Sequence, residues 1–478
     1  MTTSGICKLF CFAPPRGRKN GSARIRSGWK MCVLLLLCAA GTIASAQTFR
    51  TLKSFKEETG NDREAPLVQG LDGNFYGTTE LGGASNACNH GCGTVFKITP
   101  EGNPTTLHMF NGTDGTNPTA GLVQATDGNL YGTTYYGGAN SSACGGYGCG
   151  TVFKITPGGK LTTLHSFCSQ TNCTDGAEPY AGLVQGTDGN FYGTTVQGGA
   201  LNDGTVFKIS AAGTLTTLYS FCSQTNCSDG TNPRAGLIQA TDGNFYGTTL
   251  AGGTSGGSGD GTVFQITAKG VLTTLHSFDC TDGCAPYSGL LQGTDGDFYG
   301  TTSYGGANWA GAVFSLGVGL GPFVKTQPTS GYAGTAVMIL GNNLSGTTKV
   351  EFNRMPADFT VVTNSEIMSS IPPWDVTTGS VSVVTPTGTL KSNVIFRVKP
   401  QIYGFSPPSG PVGTEVVITG LSLTQTKTVT FGGVKTTDFI VNADGQVTVY
   451  VPSGAKKGHI AITTSGGTVT SSGIFTVT

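Results

Sequence analysis

The chain is poor in charge. Only 11% of its 478 residues are Asp, Glu, Lys or Arg, against about a quarter in ordinary soluble proteins, and the deficit argues against a helical enzyme. Long apolar runs are also missing. The run "MCVLLLLCAAGTI" at 31–43 falls short of the roughly 20 residues that cross a bilayer as a helix. Beyond residue 46 there is no Lys/Arg-rich run, and nucleic-acid binders display a basic stripe or patch, so nucleic acid is excluded as a partner. What the chain has in abundance is glycine, 76 residues of it, with many Thr, Ser and Asn. That composition points to short strands and turns, an all-β class.

The first 46 residues differ from the rest. Seven basic residues and no acid precede the apolar run, and "ASA" follows at 44–46. A basic start, a short apolar stretch and a small-residue site form a secretory signal peptide; an uncleaved signal anchor is the alternative. Cleavage after Ala46 removes seven of 27 basic residues and none of 27 acidic ones, leaving 20 against 27 and a net charge of about −7. The mature chain is expected to be exported, without a membrane span, and monomeric.

One phrase is written five times. "LDGNFYGTT" (71–79), "TDGNLYGTT" (126–134), "TDGNFYGTT" (187–195 and 241–249) and "TDGDFYGTT" (294–302) place their aspartates 55, 61, 54 and 53 residues apart. A period near 50 residues signals a propeller or solenoid. Within one unit, "AGLVQG" (181–186), "NFYGTT" (190–195), "GTVFKI" (204–209) and "LTTLYSF" (215–221) read as four strands, rich in β-branched and aromatic residues and parted by turn formers. Asp-Gly between the first two marks a tight hairpin, because glycine accepts the positive φ there. The last unit lacks its fourth strand, while "TLKSF" (51–55) stands unmatched at the front. Pairing the two closes a five-bladed β-propeller with no strand edge left open. The units resemble the GloVer tandem-repeat family of bacterial surface proteins over about residues 50–316, through "DGNFYGTT…GG…GTVFKI". That resemblance implies export and a C-terminal anchoring device of variable type; it implies no activity.

After residue 321 a second repeat begins. "PTSGYAGTAVMILG" (328–341) returns as "PSGPVGTEVVITG" (408–420). Val337 and Ile339, like Val416 and Ile418, alternate as in strands with one buried face. The phrase resembles the IPT/TIG family of immunoglobulin-like domains, which in bacteria implies spacers or adhesive stalks. The expected organisation is a signal peptide at 1–46, the propeller at 47–321, and immunoglobulin-like β-sandwiches at 322–399 and 400–478.

Ten cysteines lie beyond the signal peptide in close pairs: Cys88/Cys92, Cys144/Cys149, Cys168/Cys173, Cys222/Cys227 and Cys280/Cys284. In an exported chain these read as five local disulfides. Zinc is the competing reading, but only "CNHGC" adds a histidine, His90, and a structural site wants four ligands. No metal and no cofactor is expected. In an up-and-down blade every pair falls on one face of the ring, where connections between second and third strands run 13 and 15 residues in the cysteine-bearing copies against 8, 11 and 8 in the others. Long loops on a rigid scaffold are where binding resides.

On that face Thr119, Tyr180, Arg234 and Tyr287 occupy one aligned position before the innermost strand and are expected to ring the channel mouth. Tyr136, Tyr304 and Trp309 lie in loops of the same face. Aromatic and Arg side chains there suit a ligand such as a sugar; packing between blades is the alternative. The leading functional expectation is a noncatalytic surface or secreted protein that binds a polysaccharide or an envelope protein. The alternatives are a glycosidase or lyase, for which Glu80, Glu178 and Asp203 are candidate acids with nothing to bring two together, and a purely structural envelope protein. Hydrolysis of a glycoside wants two carboxylates roughly 5–10 Å apart. No catalytic residue is assigned.

Overall fold

The computed structural model describes residues 51–52, 65–140, 142, 144–254 and 260–478. The signal peptide therefore lies outside the described residues, as do Lys53, Ser54 and Phe55 of the proposed closing strand. No helix among the described residues is long and apolar enough to cross a membrane.

The fold is all-β. Each repeat makes one antiparallel sheet in chain order: β1 (Val68–Gln69), β2 (Phe75–Thr79), β3 (Thr94–Ile98) and β4 (Pro104–Met109) in blade one, and β5 (Val123–Gln124), β6 (Leu130–Thr134), β7 (Thr151–Ile155) and β8 (Leu161–Ser166) in blade two. Blade three has β9 (Val184–Gln185), β10 (Phe191–Thr195), β11 (Thr205–Ile209) and β12 (Leu215–Ser220); blade four has β13 (Ile238–Gln239), β14 (Phe245–Thr249), β15 (Thr262–Ile266) and β16 (Leu272–Ser277). Blade five shows β17 (Leu291–Gln292), β18 (Phe298–Thr302) and β19 (Ala312–Leu316), three strands among the described residues. The innermost strand is thus two residues long in every blade, shorter than "AGLVQG" suggests, and a bulge interrupts the pairing of β11 with β12 between Val206 and Phe207.

The repeated phrase is explained by contacts inside the blade. Gly193 pairs with Phe207 across β10 and β11, and a Cβ on that glycine would lie 2.6 Å from the phenyl ring. The same clash would arise at Gly77, Gly132, Gly247 and Gly300, so glycine is what lets the third-strand Phe lie flat across its neighbour. In the turn, Gly189 has φ +83°, and the Asp188 carboxylate accepts from Asn190 N (3.1 Å), Asn190 Nδ2 (2.8 Å) and Tyr192 Oη (2.8 Å). Burial opposes the charged form of Asp188, but those hydrogen bonds outweigh it and hold the carboxyl below the usual carboxylate range.

Neighbouring blades meet through a recurring set of contacts, a ring stack at three joints and a glutamine bond and a buried leucine at four. Tyr131 stacks on Phe191 at 3.9 Å, Tyr192 on Phe245 at 3.9 Å and Tyr246 on Phe298 at 4.2 Å. Gln124, Gln185, Gln239 and Gln292 each accept a backbone N–H from the preceding blade, at Leu71, Thr126, Thr187 and Thr241. Leu122, Leu183, Leu237 and Leu290 are buried at these joints, whereas Leu67 of blade one is 54% exposed. Likewise Val95, Val152, Val206 and Val263 are fully buried, but Val313 of blade five is 80% exposed. A joint between blades five and one is therefore not seen among the described residues.

Two β-sandwiches follow. In the first, one sheet contains Ala336–Leu340 and Glu366–Ser370 and the other Lys349–Phe352 and Val381–Thr385, around a core that includes Val337, Ile339, Phe352 and Phe396. The second repeats the plan around Val416, Ile418, Phe431 and Phe475. The alternation read in each strand is borne out. Gln425 joins the two sandwiches, accepting from Thr378 N (3.0 Å) and donating to Thr378 O (3.1 Å). At the propeller end, Phe323 N donates to Thr294 O (3.0 Å) and Lys325 Nζ to Gln292 O (2.5 Å).

Candidate functional site

Up-and-down strand order puts the connections from second to third strand on the same face as those between blades. That face carries all five disulfides, Cys88–Cys92, Cys144–Cys149, Cys168–Cys173, Cys222–Cys227 and Cys280–Cys284. The only groupings among the described residues that could offer three metal ligands, Cys149/Cys168/Cys173 and Asp203/Cys222/Cys227, draw on these joined cysteines. A disulfide sulfur is not a thiolate ligand.

The loops are tied to each other as well as to themselves. Each segment between blades pairs by an isolated bridge with the loop of the following blade: Thr116 with Tyr136, Ala177 with Gln197, Thr231 with Ala251 and Cys284 with Tyr304. One residue further on, Asn117, Glu178, Asn232 and Ala285 turn the chain with φ between 53° and 58°. Their N–H groups donate to Cys92 O, Cys149 O, Asp203 O and Ala285's partner Asp260 O. A proline then delivers the aligned position, Thr119, Tyr180, Arg234 or Tyr287, onto the inner strand.

Three of those four side chains come together. The Arg234 guanidinium carbon lies 5.8 Å from the Tyr180 ring centre and 5.4 Å from that of Tyr287. Tyr180 also meets Tyr135 edge-on at 5.6 Å. The Nε of Arg234 is buried and makes no hydrogen bond. Arg234 is the only arginine between residues 65 and 321. Thr119 differs: it is buried, and its hydroxyl donates to Tyr180 O at 3.0 Å, so it braces the arc. Tyr304 and Trp309 are 60% and 72% exposed, and no ring contact joins them to the arc among the described residues. Tyr136 belongs to a second group, with Tyr135 at 4.3 Å and Tyr147 at 5.7 Å.

The acids of this face are engaged. Glu178 is buried and accepts from Tyr135 Oη at 2.8 Å; burial and this carboxylate push the Tyr135 hydroxyl well above its ordinary value. Glu80 accepts from Asn117 Nδ2 at 3.4 Å. Asp203 is pushed up by burial and then by the charge of Asp229, whose own carboxylate accepts from Tyr219 Oη (2.7 Å) and Ser223 N (2.9 Å). His108, His165 and His276 stand on outer strands, each bonded to an aspartate of the next connection, Asp114, Asp175 and Asp282, at 2.7–2.9 Å. The partners form a column of their own, five residues before Thr119, Tyr180, Arg234 and Tyr287, but connections of unequal length between the histidines and that column hide the pairing. Tyr135 and Tyr147 were missed, Tyr135 because its column holds no second aromatic residue.

Residues 40–225 and 141–354 match the Gloeobacter/Verrucomicrobia repeat. The chain belongs to that repeat family. Residues 323–398 and 400–477 match the IPT/TIG domain, so this member of the Gloeobacter/Verrucomicrobia repeat family carries two such domains. No curated protein matches it. Among solved structures it is similar to a surface glycan-binding protein of Prevotella bryantii, at 16% identity over 34% of this chain and 40% of that one, TM-score 0.26. It is also similar to such a protein from a xyloglucan utilization locus of Bacteroides uniformis, at 25% identity over 32% and 48%, TM-score 0.17. A fungal alcohol oxidase in complex with copper matches at 13% identity over 88% and 98%, TM-score 0.30. The repeat protein thus spans less than half the length of either glycan-binding protein.

Proposed function

We propose that this is an exported, cell-surface or secreted binding protein, noncatalytic, whose five blades close into a propeller that holds a glycan on its long-loop face. The propeller occupies residues 47–321, and the sandwiches at 322–399 and 400–478 carry it as spacers. Export is supported by five disulfides, which persist in oxidising compartments. Closure is supported by a joint that recurs four times and by the matching surfaces left exposed at Leu67 and Val313. Closure needs an outer strand for blade five, for which the sequence offers "TLKSF" (51–55), most of it outside the described residues.

The observation that carries binding is the arc of Tyr180, Arg234 and Tyr287, drawn from three successive blades at one aligned inner position. Stacked rings around an arginine offer flat apolar faces beside fixed N–H donors, which is how hydroxyl-rich ligands are oriented. The full exported chain, disulfides intact, tested against a panel of polysaccharides and envelope extracts, should retain a glycan and release no product. Tyr287→Ala should weaken that retention. Release of shortened sugars would turn attention to Asp203, whose carboxyl burial holds up beside Asp229. Capture of an envelope protein in place of a glycan would keep the site and change the ligand.

A further inference from the structure

A cavity is linked to the arc through Tyr135, which meets both Tyr180 and the lining residue Tyr136. It has a volume of about 540 Å³ and sits between the disulfide-bonded loops of blades one and two. Its lining includes Asn89, Asn111, Thr113, Asn117, Tyr136 and Tyr147. Its size falls within the range of small-ligand sites, roughly 300–1,000 Å³.

The walls are built, not accidental. Gly82 N donates to His90 O and Gly137 N to Tyr147 O, so each loop folds back on its own blade. The floor is the bridge of Thr116 with Tyr136. Tyr147 is 71% exposed, yet its ring lies 5.7 Å from that of Tyr136 at an angle of 38°. Two tilted rings form an open apolar platform.

We infer that this cavity binds an uncharged sugar unit of the glycan, stacked on Tyr136 and Tyr147. The inference rests on the glycan-binding reading above and adds to it a subsite and a chemical class. A pyranose has an apolar C–H face that covers a ring and a rim of hydroxyls that both donate and accept. Asn side chains match that rim, having a carbonyl and an NH₂ on one group. The Asn89 amide makes no hydrogen bond among the described residues, and Asn111 uses only its oxygen, which accepts from Thr113 N, Thr113 Oγ1 and Asp114 N. Those groups are therefore available at the wall.

Charge decides the class. The described lining contains no charged side chain. Behind it stand Asp114, which accepts from Asn111 N at 2.9 Å and is bonded to His108, and Glu80, which accepts from Asn117 Nδ2. A uronate or sulfate carried into the cavity would lose water without gaining a charged partner from the lining. A neutral sugar avoids that cost.

The test is an array of matched neutral and uronate-bearing oligosaccharides, applied to the full exported chain. Neutral oligosaccharides should bind, Tyr147→Ala should weaken them about tenfold, and Tyr147→Phe, which keeps the ring, should stay within about twofold. Because Tyr147 is exposed, its melting temperature should not change, which separates lost binding from lost folding. If Tyr147→Ala leaves neutral binding intact while Tyr287→Ala removes it, the subsite is wrong and glycan binding stands. Binding of uronate oligosaccharides alone has the same consequence. If the array retains nothing, subsite and glycan reading fall together.

Discussion

Arg234 stands between Tyr180 and Tyr287, 5.8 and 5.4 Å from their ring centres, so one cation spans residues from three consecutive blades. Each contact is worth roughly 0.5–1 kcal/mol where solvent has access. Arg234→Ala should therefore lower stability modestly. In a double-mutant cycle with Tyr180→Ala, the two losses should fail to add by about the energy of one contact. Thermal or denaturant unfolding measures this, and strict additivity would mean that the arc is a chance juxtaposition.

Acid should unfold the repeats through their aspartates. Asp175 is fully buried and accepts from His165 Nε2, Ser169 N and Ser169 Oγ at 2.7–3.0 Å. Burial opposes its charge, yet these bonds win and hold it below the ordinary value of 3.8. Since the folded value is the depressed one, its contribution is complete above the unfolded value and is lost as pH falls through the folded value. Asp72, Asp188 and Asp295 are shifted the same way. Stability measured from pH 6 down to about 2 should drop steeply below about pH 4, and Asp175→Asn should make that drop shallower while lowering the plateau.

The disulfides should stiffen one face and little else. Closing a loop of five or six residues contributes about 2 kcal/mol by loop entropy. Replacing both Cys88 and Cys92 by Ser should cost about that much at most. Hydrogen exchange should quicken at 80–93 while β2 and β3 keep their protection, and neutral-sugar binding should weaken with the loosened wall. Uniform loss of protection through blade one would contradict a local role.

Ring closure has a direct test. Removing residues 51–55 from the full chain should lower the melting temperature, because blade five would be held to three strands with an open edge. A cysteine pair placed at residue 53 and on β19 should cross-link under oxidation. Unchanged melting together with no cross-link would mean an open arc of blades.

Much of this was readable in advance. "DGNFYGTT" announced a turn and a strand through Asp-Gly and β-branched spacing, and the alternation of Val416 and Ile418 announced a buried face. The hydrogen bond from Tyr192 to Asp188 was not readable, because it joins positions four apart across a turn and leaves no periodic trace. The aligned column before the inner strand contains Tyr180, Arg234 and Tyr287, whose side chains lie together. Thr119 of the same column is drawn under its neighbour's carbonyl, a difference of side-chain size that an alignment does not weigh. Tyr147 sits in the longest of these loops, and its contact with Tyr136 leaves no mark in the repeat.

The glutamine that ties each blade to the one before carries a last implication. Its oxygen receives a main-chain N–H, as Gln239 receives that of Thr187 at 3.0 Å, and its amide nitrogen returns to its own turn at Gly243. The same nitrogen also reaches the neighbour's Thr187 hydroxyl at 3.3 Å, a bond repeated at Gln185 with Thr126 and at Gln292 with Thr241. At the first joint Leu71 replaces that threonine, and only the main-chain bond to Gln124 is kept. Joints two to four thus share one chemistry, and a unit taken from the middle of the array would find its own partners again at either of the neighbouring places.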